Sequence, residues 1–195
     1  MPKFILSTHQ KGGVGKSTIT YNLACALNRN AKVVICDLDA QGTLAEIRGI
    51  SEVPIYSGIS ELEKLKSSDY DFVFVDSPPY LTSSLPDLLK FMDAILVPTK
   101  VGLADFMAIS KTLEMVGKSG KADNALIVLN MVKPNTTLTT EMQSSLAKVN
   151  VPLAETKLSD LVAYTRSFAT GGLDEDKAKN QINSLLVEVL TLLSK

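Results

Sequence analysis

A glycine-rich segment near the start of the chain constrains the fold more than any other feature. Gln10–Thr18 reads Gln-Lys-Gly-Gly-Val-Gly-Lys-Ser-Thr, follows a short apolar run and opens a segment with helical spacing. Glycines let the backbone turn tightly and aim successive N–H groups at one point, and the helix adds unpaired amides and the positive end of its dipole. We therefore expect a strand, a polyphosphate-binding loop and a helix, in that order.

The residue types in this loop predict separate tasks for its side chains. Lys16 can reach the β- and γ-phosphates of a nucleotide, and the hydroxyl of Ser17 can bind a Mg²⁺ ion that bridges them. A glycine-rich turn without a ligand is the alternative, but the order of strand, loop, Gly-Lys-Ser and helix argues against it. The other predicted members of the phosphate site are Gly12, Gly13, Val14, Gly15 and Thr18.

Short β-branched runs alternate with helix-length amphipathic segments along the chain. This alternation predicts an α/β fold with a doubly wound, mostly parallel sheet and helices on both faces. The predicted strands are Lys3–Thr8, Lys32–Asp37, Asp71–Asp76, Asp93–Pro98, Asn124–Asn130 and Pro152–Thr156. The predicted helices are Lys16–Asn28, Thr43–Arg48, Ser60–Lys66, Ser83–Phe91, Leu103–Val116, Leu138–Lys148, Ser159–Ala169 and Ala178–Ser194.

Length and composition agree with one domain over residues 1–195. Twenty Lys and Arg residues against 21 Asp and Glu give a net charge of −1, and a hydrophobic fraction of 45% excludes a disordered chain. The apolar runs are far shorter than the roughly 20 residues that span a bilayer, so we expect a cytoplasmic protein without membrane contact. Any contact with nucleic acid must come from a local basic patch.

Two of the predicted strands end in carboxylates. Asp37 and Asp39 follow one apolar run, and Asp76 ends another. Because the carboxyl ends of parallel strands share the ligand-binding edge of a sheet, we expect these acids near the glycine-rich loop. There a carboxylate can orient a water for attack on the γ-phosphate, and Asp76 can accept hydrogen bonds from Mg²⁺-bound water or from Ser17. A helix cap is the alternative for Asp39, which precedes the helix predicted from Thr43.

Lys11–Thr18 resembles the deviant Walker A motif of the ParA/MinD family of P-loop ATPases. A common P-loop has glycine at position 10, whereas this chain has Gln10 followed by an additional lysine, Lys11. In that family the early lysine crosses a dimer interface to the nucleotide of the partner subunit, so the resemblance implies this catalytic and binding role for Lys11. It also implies a P-loop NTPase fold of the deviant Walker A type, with ATP and Mg²⁺ as cofactors.

Two further motifs extend the resemblance. Residues 37–42 are similar to the family's switch I motif, which implies that Asp39 positions the attacking water and that Asp37 supports it and the metal. Ala40 stands where the family usually has proline, so this turn lacks that source of rigidity. Residues 76–79, Asp-Ser-Pro-Pro, are similar to the Walker B and switch II segment. Asn130 lies where the family often recognises adenine, so the resemblance implies that its amide contacts the base. The alternative is that Asn130 is an ordinary turn residue.

The resemblance covers nearly the whole chain and implies a short ParA-like ATPase. Such a protein forms a homodimer around two ATP molecules and binds DNA without sequence preference. It positions a plasmid, chromosome or other cargo on the nucleoid with an adaptor of the ParB type, and hydrolysis resets it. Phosphate contacts with DNA need lysine or arginine on one face. The candidates are Lys133, Lys148, Lys157, Arg166, Lys177 and Lys179.

Two other functions stay open at this point. A MinD-like regulator that cycles on a membrane would need lysines along the polar face of its last helix, but Ala178–Ser194 contains only Lys179. A metabolic enzyme of the dethiobiotin-synthetase type would use a related loop and transfer the phosphate to a small substrate. ATP-dependent binding to DNA would separate the ParA-like function from both.

Overall fold

The uniformly apolar runs of the sequence form the strands of one central sheet. The computed structural model describes residues 1–39, 42–79, 84–134 and 137–195. All neighbouring strands pair in parallel, in the order β3-β2-β4-β1-β5-β6. Across the described ranges the strands are β1 (Lys3–Ser7), β2 (Val33–Asp37), β3 (Ile55–Ser57), β4 (Phe72–Asp76), β5 (Ala94–Thr99) and β6 (Ala125–Leu129).

Helices cover both faces of this sheet, because successive strand residues point to opposite sides. Ile5 packs in one apolar cluster, whereas its neighbours Phe4 and Leu6 pack in the other. The first cluster holds α1 (Lys16–Leu27), α2 (Thr43–Glu46), α7 (Val162–Thr170) and α8 (Asp176–Leu193). The second holds α3 (Ile59–Leu65), α4 (Leu85–Lys90), α5 (Leu103–Lys118) and α6 (Thr137–Leu146). The predicted fold class, a doubly wound α/β sheet, is confirmed.

The strand predicted at Pro152–Thr156 is wrong. Its backbone pairs with β6 at Ile127, whose N–H donates to the carbonyl of Pro152 and whose carbonyl accepts from Ala154 N–H, each over 2.8 Å. The next bond is at Leu158, whose N–H donates to the carbonyl of Leu129 over 2.9 Å. Four residues of this segment therefore oppose two of β6, which breaks the ladder. The same pairing continues through Asp160, so α7 begins three residues later than the predicted Ser159.

The sequence prediction also missed β3. This strand has three residues at the edge of the sheet, and the central one, Tyr56, is 40% exposed. So short a run carries too little apolar periodicity to be distinguished from a loop. The predicted helix at Thr43–Arg48 ends at Glu46. Ser83, the predicted start of the fourth helix, lies outside the described residues, and α4 begins at Leu85.

The last helix packs its apolar stripe against the sheet and α1. Ile182, Leu185, Val189 and Leu192 of α8 are buried there. Of the helices that the structure describes, none is both long and apolar enough to cross a membrane.

The strand order brings the acidic strand ends to the glycine-rich loop. β4 lies between β1 and β2, and the register pairs Asp76 with Ser7 on one side and with Asp37 on the other. Since the loop leaves β1 immediately after Ser7, three neighbouring strands deliver the loop and both carboxylates to one point on the carboxyl edge.

Candidate nucleotide-binding site

The loop after β1 has the backbone geometry of a phosphate site. Gly13 and Gly15 have φ values of 69° and 97°, in the left-handed region that glycine tolerates best. Gly15 is the residue before α1, and no side chain caps the first N–H groups of that helix. Those amides remain available to an anion, as phosphate recognition at a helix N-terminus requires.

Asn130, which follows β6, holds the loop through a buried hydrogen bond. Its amide Nδ2 donates a 2.8 Å hydrogen bond to the carbonyl of Val14, and the side chain is buried. A Cβ added at Gly15 would lie 2.0 Å from this Nδ2, whereas one at Gly12 would meet nothing within 4 Å. The structure thus uses Asn130 to fix the loop. Its predicted contact with adenine stays a prediction, and nothing in this arrangement supports it.

Lys16 lies over the loop as the first residue of α1. Its side chain is buried at 7% exposure, and Nζ donates to the carbonyl of Lys11 over 3.4 Å. Burial lowers the pKa of this ammonium, while the carboxylates of Asp76 and Asp39 oppose that shift. An ammonium has three donors, so this long contact leaves N–H groups for phosphate oxygens.

The acids at the strand ends form a buried group beside Ser17. Ser17 Oγ donates a 2.5 Å hydrogen bond to Asp76 Oδ2, and Asp39 N–H donates to Asp37 Oδ1 over 2.9 Å. Burial raises the pKa of Asp76 to about 7, against the effect of the Ser17 hydrogen bond. Burial also raises the pKa of Asp37. Leaving water thus disfavours the charged form of both carboxyls.

Two oxygens of this group are suited to a cation. Asp76 Oδ1 and Asp37 Oδ2 are buried and have no hydrogen-bond partner among the described residues. Mg²⁺ prefers such oxygen ligands and offsets the cost of buried negative charge. The donor set, with the Ser17 hydroxyl, fits the predicted Mg²⁺ site. Within the described ranges no cluster of three His, Cys, Asp or Glu side chains could hold a metal alone. A bound Mg²⁺ would take its further oxygen ligands from phosphate and water.

The predicted motifs meet around one open cavity of about 300 Å³. Two residues that the sequence did not suggest also line it, Met131 and Phe168. Met131 follows Asn130 and has a φ of 53°, in the left-handed region that residues other than glycine rarely adopt. Phe168 of α7 packs against Tyr21 of α1, with ring centroids 5.2 Å apart. The lining also includes Gly12, Gly13, Gly15, Lys16, Ser17, Thr18, Asp39, Thr43, Ser77 and Pro79. Ala40 and Gln41 of the predicted switch I lie outside the described residues.

Lys11 does not line this cavity in the single subunit. Its Nζ lies 2.6 Å from Asp105 Oδ1 on α5, and its backbone N–H donates to His9 Nδ1 over 2.8 Å. Burial is the main cause that lowers the pKa of His9 to about 4, so this imidazole is neutral and can accept that bond. No local pattern points to Asp105, which stands 94 residues from Lys11 inside an amphipathic helix.

Gly15→Ala should destabilise the nucleotide-free protein, because a side chain there combines a left-handed φ with a clash against Asn130. We expect a drop of roughly 5–10 °C in the thermal midpoint. Gly12→Ala is the matched control and should change the midpoint by less than about 2 °C. Calorimetric unfolding of both variants without nucleotide measures this difference, and equal midpoints would contradict the assigned role of Gly15.

The raised pKa of Asp76 predicts a pH-dependent stability of the metal-free protein. The folded chain retains a proton on this carboxyl up to about pH 7, whereas the unfolded chain loses it near its ordinary pKa of 3.8. At this carboxyl the folded state therefore binds more protons, and the Asp76 contribution to the free energy of unfolding should fall by about 1 kcal/mol between roughly pH 6 and pH 8. His9, whose pKa rises from about 4 to 6.5 on unfolding, contributes with the opposite sign over this range, so the Asp76 contribution is the difference between the wild type and Asp76→Asn. Urea titrations at both pH values test this expectation.

Asp76→Asn should remove this part of the pH dependence, and saturating Mg²⁺ should weaken it, since the cation binds the ionised carboxylate. A metal-free wild type whose stability changes between the two pH values in the same way as that of Asp76→Asn would contradict the buried state of Asp76.

Known proteins with the same fold hold adenine nucleotides. The model of the family described as the CobQ/CobB/MinD/ParA nucleotide binding domain matches residues 5–173. In fold the chain is similar to a Borrelia burgdorferi B31 protein assigned to plasmid partition and bound to AMPPNP, with a TM-score of 0.77, 19% identity, and coverage of 98% of this chain and 99% of that one. It is also similar to cobyrinic acid a,c-diamide synthase from Mycobacterium smegmatis with ADP and magnesium, with a TM-score of 0.76, 16% identity, and coverage of 100% and 96%.

One relative in sequence spans nearly the whole chain. It is the maintenance of carboxysome distribution protein A of Halothiobacillus neapolitanus, which is 30% identical over 200 residues, covering 92% of this chain and 93% of the relative. The predicted cofactors, ATP and Mg²⁺, are those of the family, in agreement with the nucleotides and magnesium in solved neighbours. The chain therefore belongs to the CobQ/CobB/MinD/ParA nucleotide-binding family and is a P-loop ATPase of the ParA/MinD positioning type.

Proposed function

We propose that this chain forms an ATP-bound homodimer, binds DNA non-specifically and positions a cargo together with an adaptor protein. One observation carries the proposal: the loop that fits a nucleotide contains Lys11, and the chain matches a carboxysome distribution protein over 92% of its own length and 93% of that protein's length. The name of that relative favours a carboxysome or a similar body as cargo over a plasmid or a chromosome. An adaptor of the ParB type stays a prediction from the motifs.

Hydrolysis would take place at the mouth of the cavity. Asp39 lines it together with Lys16 and Thr43, so its carboxylate can orient a water toward the γ-phosphorus. The water oxygen bonds to phosphorus as the bond to the β–γ bridging oxygen breaks, and ADP and phosphate leave. Lys16 and the N–H groups at the start of α1 stabilise the negative charge on the phosphates. A bound Mg²⁺ would neutralise part of that charge.

The packing of α8 argues against the membrane-cycling alternative. The apolar side chains that a membrane anchor would need are buried against the sheet. Within α8, Val187 is the large apolar residue that is exposed. The metabolic alternative shares the fold, as the similarity to cobyrinic acid a,c-diamide synthase illustrates. The identity to the distribution protein over 92% of the chain supports the positioning function instead.

A basic surface beside the site supports the DNA contact. Lys133 and Lys157 line one open cavity of about 480 Å³, and Lys133 lines a second of about 410 Å³ with Lys100 and the carboxylates Asp105 and Asp160. We call the three lysines the basic edge. Across the part of the chain that the structure describes, none of the three has an ion-pair partner. Two of the sequence candidates are less available: Arg166 lies 3.9 Å from Asp174, and Lys179 lies 3.8 Å from Asp176.

Asp39→Ala should separate nucleotide binding from turnover. We expect the variant to bind Mg-ATP and to dimerise, while phosphate release falls about 100-fold or more because the water loses its orienting carboxylate. Lys16→Ala is the contrasting variant and should lose nucleotide binding. Phosphate release and light scattering measure the two properties, and undiminished hydrolysis by Asp39→Ala would remove Asp39 from the mechanism.

Retention on DNA with ATP, with ADP and without nucleotide tests the partner. We expect salt-sensitive and sequence-indifferent retention with ATP alone. Lys133→Ala/Lys157→Ala should weaken it more than about tenfold and lower the slope of log affinity against log salt by about 2. Lys64→Ala/Lys66→Ala on α3 changes the charge equally and serves as control. Equal losses in both variants would assign retention to overall charge, and no retention under any condition would contradict the DNA contact.

A further inference from the structure

A buried hydrogen bond joins helix α1 to helix α7. Asn22 Nδ2 on α1 donates to Ser167 Oγ on α7 over 3.0 Å, although the two residues stand 145 positions apart. Both side chains are buried, at 2% exposure for Asn22 and 0% for Ser167. Ser167 Oγ also donates to the carbonyl of Tyr164 over 2.8 Å. Because the hydroxyl proton is used in this second bond, the oxygen is the acceptor in the first.

Asn22 also holds the turn of α1 that follows the phosphate loop. Its Nδ2 donates to the carbonyl of Thr18 over 2.8 Å, and Thr18 lines the nucleotide cavity. Both amide hydrogens are therefore used, whereas Asn22 Oδ1 is buried without a hydrogen-bond partner among the described residues. An unpaired buried oxygen is costly, and a leucine of similar size would avoid that cost. The contribution of Asn22 must therefore come from its two donors.

Helix α7 is short and presents few large apolar side chains to the core. Of its nine residues, Ala163, Tyr164 and Ser167 are buried, and Val162 at its start is 71% exposed. The Tyr164 hydroxyl is directed to α8, where it donates to Gln181 Oε1 over 3.0 Å. A helix of this length depends on tertiary contacts for its stability. The bond from Asn22 therefore has a large share in fixing α7 against α1.

Phe168 follows Ser167 and connects this contact to the nucleotide cavity. Its ring packs against Tyr21, the neighbour of Asn22, with ring centroids 5.2 Å apart, and it forms part of the cavity lining. Adjacent residues of α1 thus contact adjacent residues of α7. Most of the remaining lining consists of glycines and polar side chains. A phosphate chain has no apolar surface, so an aromatic ring at this place is suited to the nucleoside part of the ligand.

We propose that Phe168 contacts the nucleoside part of a bound nucleotide and that Asn22 is the positioning residue that holds it there through Ser167. The hydrogen bond fixes α7 relative to the helix that begins at the phosphate loop. The loop and the ring thereby bind the two ends of one ligand. This inference goes beyond the proposed function, since it needs nucleotide binding by a single subunit and requires neither a dimer nor DNA.

Nuclear magnetic resonance with phenylalanine-selective labelling tests the contact. The chain has six phenylalanines, and Phe168→Ala identifies the resonance of Phe168. With Mg-ADP, which avoids turnover, we expect nuclear Overhauser effects between this ring and adenosine protons. Their absence from a complex saturated with ADP would overturn the contact. A wild type that takes up no ADP would overturn it together with the nucleotide site, whereas a failure to dimerise or to bind DNA would leave it standing.

Asn22→Leu/Ser167→Ala tests the positioning role. This double variant removes the hydrogen bond without leaving a buried donor unpaired, so the thermal midpoint should change by less than about 3 °C. The Kd for Mg-ADP should nevertheless rise about threefold to tenfold, because the ring is no longer held beside the nucleoside. Ser167→Ala alone should act in the same direction and serves if the double variant fails to fold. Calorimetry measures both quantities.

Ser110→Ala is the matched control for Ser167→Ala. Ser110 Oγ donates to the carbonyl of Phe106 over 2.9 Å within α5, so the variant removes an intrahelical bond of the same kind and should leave the Kd unchanged. In a Phe168→Ala background, loss of the Asn22 hydrogen bond should have no further effect, since Asn22 acts through the ring. An unchanged Kd in the double variant, or an effect that persists without the ring, would overturn the positioning role.

Discussion

Burial of two carboxylates at the carboxyl edge of the sheet is the constraint on which the site depends. Asp37 and Asp76 lie side by side because β2 and β4 are neighbours in register, and neither can be charged there at low cost without a cation. The same register puts the loop after β1 next to them, so that a phosphate chain and its metal can complete the charge balance. The order and register of β1, β2 and β4 therefore determine the charge of the site.

The sequence predicted the parts of this molecule that local patterns encode. Buried parallel strands are uniformly apolar, and Gly15, Ser17 and Asp76 stand in motifs whose spacing fixes their positions. The errors have physical causes: β3 is too short to carry a pattern, and the segment at Pro152 has two residues too many to continue a ladder. The contact of Asn130 with the loop joins residues 116 positions apart, which no local pattern records.

Residues that act through long-range contacts were therefore the ones missed. Asp105, Met131 and Phe168 lie on helices or loops whose sequence has the ordinary composition of such elements. Only the folded chain brings Phe168 and Met131 to the cavity and Asp105 to Lys11. A biosynthetic synthase shares the fold of this chain, so a difference of function between the two must come from residues of this kind and from the loop itself.

The two borders of the sheet differ in length but share a property. At one border β3 offers three residues, and at the other the irregular run of residues 152–160 lies against β6, with a proline that cannot donate to a further strand. Neither border is a long flat template for strand addition, which would create open-ended polymers of the molecule. The proposed homodimer would therefore not form by strand addition at either border, so its assembly need not continue into a polymer.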